Sequence, residues 1–210
     1  MLHIWQSFQQ QNFADPDEGY AKWINVPSFV DYFIHTELSL NADGYKRSSY
    51  FHKDKDAADG TEGKMFAGPV WDYNLAYGDC NFCNANNVKA WVYEGCTTNP
   101  TPAFWKKLTT DPAFMEQVRQ RYAYLRHDLI SLERIDSFFD DYANLLDEAK
   151  ERHYAKYSNL FVDSSQQGGG GWWWGGGTTS PISYFAAYYV ASYEEEIATV
   201  KDWFRHRIAF

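Results

Sequence analysis

KMFAGPVWDYNLAYG, Lys64 to Gly78, is the stretch on which the reading of this chain turns. Its apolar front (Met65, Phe66, Ala67, Val70) has the character of a strand, and it delivers Asp72 and Asn74 two positions apart. Successive residues of an extended segment point to opposite faces, so positions 72 and 74 share one side. Two oxygen donors at the end of a strand suit a hard cation such as Mg²⁺, which completes its shell with phosphate oxygens and water. The same residues also suit an Asx-type turn, in which the side chains bond nearby backbone amides as the strand ends.

A second acid stands upstream, in NADGYKRSSYFHKDKD (Asn41 to Asp56). Asp43 follows a helical pattern and precedes a strand at Ser48 to Lys53, which places it on the connecting loop. Lys64 to Val70 reads as the neighbouring strand, and the polar, turn-rich DKDAADGTEG (Asp54 to Gly63) as the tip of the hairpin between them. In such a hairpin the entry to the first strand and the exit from the second lie at one end. Asp43 and Asp72 are thereby expected to meet. Two carboxylates at one hairpin mouth match the needs of phosphoryl transfer: one orients or deprotonates the acceptor, the other holds the metal on the nucleotide phosphates.

With FWKKLTTDPAFMEQVRQRYAYLR (Phe104 to Arg126) downstream, these blocks resemble the spore coat protein H (CotH) kinase family, atypical secreted or surface kinases. The similarity runs from about Ile24 to Phe210, interrupted near Gln166 to Tyr189, and WDYNLAYG is its most specific part. The resemblance implies that Asp43 is the catalytic-loop aspartate and Asp72 the metal-binding aspartate, with Asn74 at the family's second Asp or Asn. It implies ATP and Mg²⁺ as cofactors and a Ser or Thr of a secreted or surface protein as acceptor. Ser48 and Ser49 occupy the region where some members carry an Asn, which leaves a second-ion site short of a ligand. No Gly-rich run precedes Asp43, and Lys22 is the sole lysine there. The chain therefore reads as one domain, residues 1–210, corresponding to the C-terminal lobe of an atypical protein-kinase-like fold without the nucleotide-gripping half.

The expected fold class is mainly α with a small β-hairpin (α+β). Leu2 to Phe13 and Pro27 to Leu40 have helical apolar spacing, with Ser28 and Asp31 as a capping pair. Asp111-Pro112 starts another helix, and Ser192 before three glutamates starts the last. Leu132 to Ala149 repeats apolar residues at three- and four-residue steps and is the clearest amphipathic helix. Arg119, Arg121 and Arg126 are read as a solvated face.

Composition narrows the function classes. A 45% hydrophobic content is ordinary for a globular domain. Aromatic residues make up 19% of the chain, serving either core packing or exposed sugar and peptide platforms. A net charge of −9 disfavours nucleic acid and anionic membrane, which require a basic face. No apolar run of about 18 residues is present, so no membrane span is expected. MLHIWQSFQQ lacks the pattern of a signal peptide. One disulfide from Cys80 or Cys83 to Cys96 would fit an extracellular, cell-surface or periplasmic protein. Gln166 to Tyr189 is a Gly/Trp low-complexity insert whose Trp172, Trp173 and Trp174 could stack on a glycan or fold back on the domain. A kinase-like core turned into a protein- or glycan-binding scaffold is thus the alternative to an active enzyme.

Overall fold

The computed structural model describes residues 2–95, 100–157 and 190–210. In chain order they form α1 (Leu2–Ser7), a 3-10 turn (Tyr20–Lys22), α2 (Val26–Ser39), β1 (Ser49–Lys53), β2 (Met65–Val70) and α3 (Val92–Gly95). There follow α4 (Ala103–Thr109), α5 (Pro112–Arg126), α6 (Leu132–Leu145), α7 (Asp147–Lys156) and α8 (Tyr193–Ala209). The architecture is the mainly helical α+β one anticipated, with a single two-stranded sheet among the described residues.

Helix α2 is the central support. Its start differs from the Ser28–Asp31 expectation. Asn25 is the N-cap, its side chain accepting from Ser28 N at 3.0 Å, while Ser28 Oγ donates back to Asn25 O at 2.8 Å. An Asn side chain one turn earlier satisfies the orphan amide, which leaves Asp31 available elsewhere. Asp31 pairs instead with Arg121 of α5, at 2.7 Å. Arg121 is therefore not simply solvated, although both partners are exposed and the pair contributes little. Asp111 and Pro112 do begin α5, with Asp111 accepting from Ala113 N at 3.0 Å. Ser192 likewise caps α8 by accepting from Glu195 N at 3.1 Å.

The hairpin is antiparallel, pairing Ser49 with Val70 and His52 with Phe66, with a bulge between Ser49 and Phe51. The open edge of β2 is covered at Met65, which receives Asn25 N at 2.8 Å and donates to Trp23 O at 2.9 Å. Ties on both sides of β2 fix where its last residue delivers the chain. Between hairpin and helices lies an aromatic core. Trp105 is fully buried, with the rings of Tyr45, Phe104, Phe29 and Tyr32 at 5.0, 5.2, 5.3 and 5.7 Å. Much of the aromatic content therefore serves packing.

The amphipathic pattern at 132–149 is realised differently from expectation. The chain breaks at Leu146, separating α6 from α7, and no residue of α6 is fully buried. Ile135 and Phe139 are half-buried, but Phe138 and Leu145 are 59% and 75% exposed. The Gly/Trp insert with Trp172, Trp173 and Trp174 lies outside the described residues. No described helix is long and apolar enough to cross a membrane.

Candidate functional site

Two loops meet at the mouth of the hairpin. The first leaves α2 through Leu40, which is fully buried in the left-handed region at φ 49°. That conformation costs a residue with a branched side chain roughly 1–2 kcal/mol, so surrounding contacts must hold it. Asn41 follows, fully buried, and its side chain joins the two loops. Its Oδ1 accepts from Asp43 N at 3.1 Å, and its Nδ2 donates to Asp72 O at 3.2 Å. Backbone bonds run alongside: Ala42 N to Leu75 O at 3.2 Å and Tyr77 N to Ser39 O at 2.7 Å. The backbones of Asp43 and Asp72 are thus bridged by one amide.

Each loop is also fixed internally. Asp43 O accepts from Lys46 N at 3.0 Å, Arg47 N at 3.1 Å and Ser48 N at 3.0 Å. Tyr32, rising from α2, donates its hydroxyl to Gly44 O at 2.6 Å. In the second loop Asp72 stands at φ 60°, a conformation that Asp tolerates better than most residues. Gly78 ends the motif at φ 88°, and a Cβ there would lie 2.5 Å from the Trp203 ring of α8. Glycine is required at that position both for backbone conformation and for space.

Asp43 is half-buried, whereas Asp72 and Asn74 are exposed. Among the described residues no hydrogen bond or ion pair engages the Asp72 carboxylate or the Asn74 amide. Lys46 lies half-buried beside Asp43; burial lowers its pKa and the Asp43 charge opposes that shift. Its Nζ is 3.9 Å from Cys83 Sγ. Ser48 is buried and Ser49 opens β1.

The loop pair linked through Asn41, followed by WDYNLAYG, is carried on a helical scaffold with one hairpin. A family model described as CotH kinase protein matches residues 2–210. The chain belongs to the CotH kinase family. No curated protein and no solved structure matches it. CotH family membership makes this a kinase-like protein with a kinase-like fold.

The donor set fits the cation that a CotH kinase implies. Mg²⁺ is held by one or two carboxylates together with substrate phosphates, not by an all-protein cage. The exposed Asp72 and Asn74 offer one carboxylate and one amide oxygen, both unengaged. No three His, Cys, Asp or Glu side chains among the described residues gather into a metal cluster. Behind the site, Cys80 is a buried free thiol whose pKa burial pushes up to about 11, which makes it a poor nucleophile. Cys83 is disulfide-bonded, and Cys96 lies outside the described residues. His52 stacks on its cross-strand partner Phe66 at 5.1 Å.

Sequence reasoning missed two parts of the supporting frame. Asn41 was visible only as a loop residue, because its two partners come from different loops. Glu37 lies within an apolar helix, where no local pattern marks it. Its carboxylate is buried and accepts from Tyr45 OH at 2.8 Å, Tyr93 N at 3.0 Å and Val92 N at 2.9 Å. Burial pushes its pKa up to about 7 against those donors and the nearby Arg207. A carboxyl that binds its proton more tightly when folded stabilises the fold below its unfolded value near 4.5, and that contribution is lost as pH rises through about 7. Relative to Glu37→Gln, the wild type should lose on the order of 3 kcal/mol between pH 4.5 and 7. Denaturant titrations of both proteins across that range test this; a constant difference would refute it.

An apolar cavity of about 600 Å³ opens between α2, α5 and the end of α8, lined by Phe33, Leu38, Met115, Val118 and Tyr122 among others. None of Asp43, Asp72 and Asn74 lines it, so it is separate from the hairpin mouth.

Proposed function

We propose that this chain carries the acceptor-activating and metal-holding acids of an atypical kinase, which moves the γ-phosphoryl of ATP to a Ser or Thr of an exported protein. The observation that carries the reading is Asn41, whose one side chain bonds the backbones of both Asp43 and Asp72. Asp43 orients the acceptor hydroxyl and takes its proton as the new O–P bond forms and the bond to the β-phosphate breaks. Asp72 and Asn74 hold Mg²⁺, which when bound neutralises charge on the phosphate oxygens. The chain's own contribution is positioning: the half-buried Asp43 is held by its backbone, and the exposed Asp72 and Asn74 remain open to ligand. An extracellular, surface or periplasmic setting suits the family and the bonded Cys83, for which we take Cys96 as partner.

The test is label transfer from γ-labelled ATP, with Mg²⁺, to a Ser- and Thr-rich peptide. Asp43→Asn should lower the transfer rate by at least about 10²-fold, in the range ascribed to general-base catalysis, and leave Mg·ATP affinity within a few-fold. Equal rates in wild type and Asp43→Asn would remove Asp43 from the mechanism. Neither transfer nor Mg·ATP binding by the wild type would favour the scaffold reading, with glycan or protein as ligand of Trp172, Trp173 and Trp174.

A further inference from the structure

The turn that presents Asn41 is held from the far end of the chain. A helix leaves its last carbonyls without intrahelical partners, and a cation placed there is favoured by both hydrogen bonding and the helix dipole. At the end of α2 the carbonyl of Glu37 receives Leu40 N at only 3.4 Å. It also receives Arg207 Nε at 3.1 Å and Nη2 at 2.6 Å, from a residue 170 positions away on α8. The third nitrogen, Nη1, donates to Val88 O at 2.6 Å and Ala90 O at 2.8 Å. Arg207 is 5% exposed, and its closest carboxylate contact, to Glu37 Oε2, is 3.9 Å. Its guanidinium is thus spent on backbone carbonyls rather than on a tight ion pair.

The consequences run straight to the site. Leu40, in its left-handed conformation, immediately follows the capped turn and immediately precedes Asn41. Asn41 N donates to Thr36 O at 3.3 Å, so its backbone is part of the same helix end. The loop that Arg207 holds through Val88 and Ala90 leads into α3, whose Val92 N and Tyr93 N donate to the Glu37 carboxylate. That carboxylate in turn accepts from Tyr45, two residues beyond Asp43. A lysine cannot reproduce the arrangement, because an ammonium is a single point from which four carbonyl contacts cannot be reached in a planar fork.

We propose that Arg207 is a positioning residue for the hairpin-mouth site. Its guanidinium fixes the C-terminal turn of α2, and that turn sets Asn41 and, through it, Asp43 and Asp72. The inference rests on the reading of Asp43 and Asp72 as the working acids. It is tested on the full chain with Arg207→Lys, which keeps the charge and the aliphatic stem, and Arg207→Gln, which keeps a planar donor. A Leu125→Ala variant serves as a destabilised control, since Leu125 is buried in α5.

Amide hydrogen exchange at Ala42 and Tyr77 reads the two bonds that cross the loops, independently of any activity. Both Arg207 variants should speed exchange there at least about 10-fold more than at α5 amides, whereas Leu125→Ala changes all of them alike. Transfer kinetics should show a lowered kcat with KM for Mg·ATP within about threefold, as positioning without binding predicts. Unchanged exchange at Ala42 and Tyr77 in a folded Arg207 variant, or loss merely in step with the control, overturns the inference. Absence of transfer by the wild type sinks the kinase reading instead, and the exchange result then decides the positioning claim alone.

Discussion

Asp72→Asn should reduce Mg·ATP-dependent phosphoryl transfer by on the order of 10³-fold while leaving the melting temperature within a few degrees. The two halves of that expectation have separate origins. The Asp72 carboxylate is exposed and makes no hydrogen bond or ion pair among the described residues, so folding draws little from it. Its link to the frame is the backbone carbonyl, which accepts from Asn41 Nδ2 and is present in every substitution. Asn also tolerates the left-handed conformation at φ 60° that position 72 requires. Asp72→Ala would add roughly 1 kcal/mol of backbone strain to the lost ligand, so the two effects would be read together. Asn removes the negative charge and retains a weaker oxygen donor. A rise in the Mg²⁺ concentration needed for half-maximal transfer should accompany the fall in rate. Transfer at the wild-type rate and Mg²⁺ dependence in Asp72→Asn would strike the metal assignment, and a large drop in melting temperature would show that position 72 is structural.

What the sequence made legible was local. The hairpin was readable because a turn-rich tip separates two apolar runs, and only the first residues differ: β1 begins at Ser49 rather than Ser48, and β2 at Met65 rather than Lys64. Asp111-Pro112 and Ser192 were readable because an N-cap and its amide lie within three residues of each other. Asn25 was missed because Ser28 and Asp31 fit the same capping rule one turn later, and the rule alone does not choose between overlapping candidates. The pattern of α6 gave its helix but not its environment. Periodicity states which side is apolar, not how much protein lies against it, and Phe138, Tyr142 and Leu145 remain largely exposed. The site shows the same division. WDYNLAYG marked Asp72 and Asn74, whereas the parts that hold it, Asn41 and Arg207, act on carbonyls and amides of distant segments. Backbone partners leave no trace in side-chain patterns, so Arg207 was visible only as a basic residue at a helix end.

The largest loss of stability is expected at Trp105, where core and site share a foundation. Trp105 is fully buried, and its ring packs against Phe29 and Tyr32 of α2, Tyr45 of the Asp43 loop, and Phe51 of β1. Trp105→Ala removes an indole from the centre of that group and should cost about 3–5 kcal/mol, the range for deleting a large buried aromatic. The indole Nε1 has no hydrogen-bond partner among the described residues, so its removal recovers part of a desolvation penalty. Trp105→Phe, which removes the N–H and keeps most of the ring, should therefore cost far less, about 1 kcal/mol. Loss at Trp105 should also reach the site. Tyr32 and Tyr45 lean on that ring, and their hydroxyls hold Gly44 O and the Glu37 carboxylate on either side of the Asp43 turn. Urea titrations of the three proteins supply the stability differences. Amide exchange at Ala42 shows whether the turn loosens ahead of global unfolding. Equal costs for the Ala and Phe variants would mean that the six-membered ring which Phe retains contributes little, and the aromatic core would not be the support on which the turn rests.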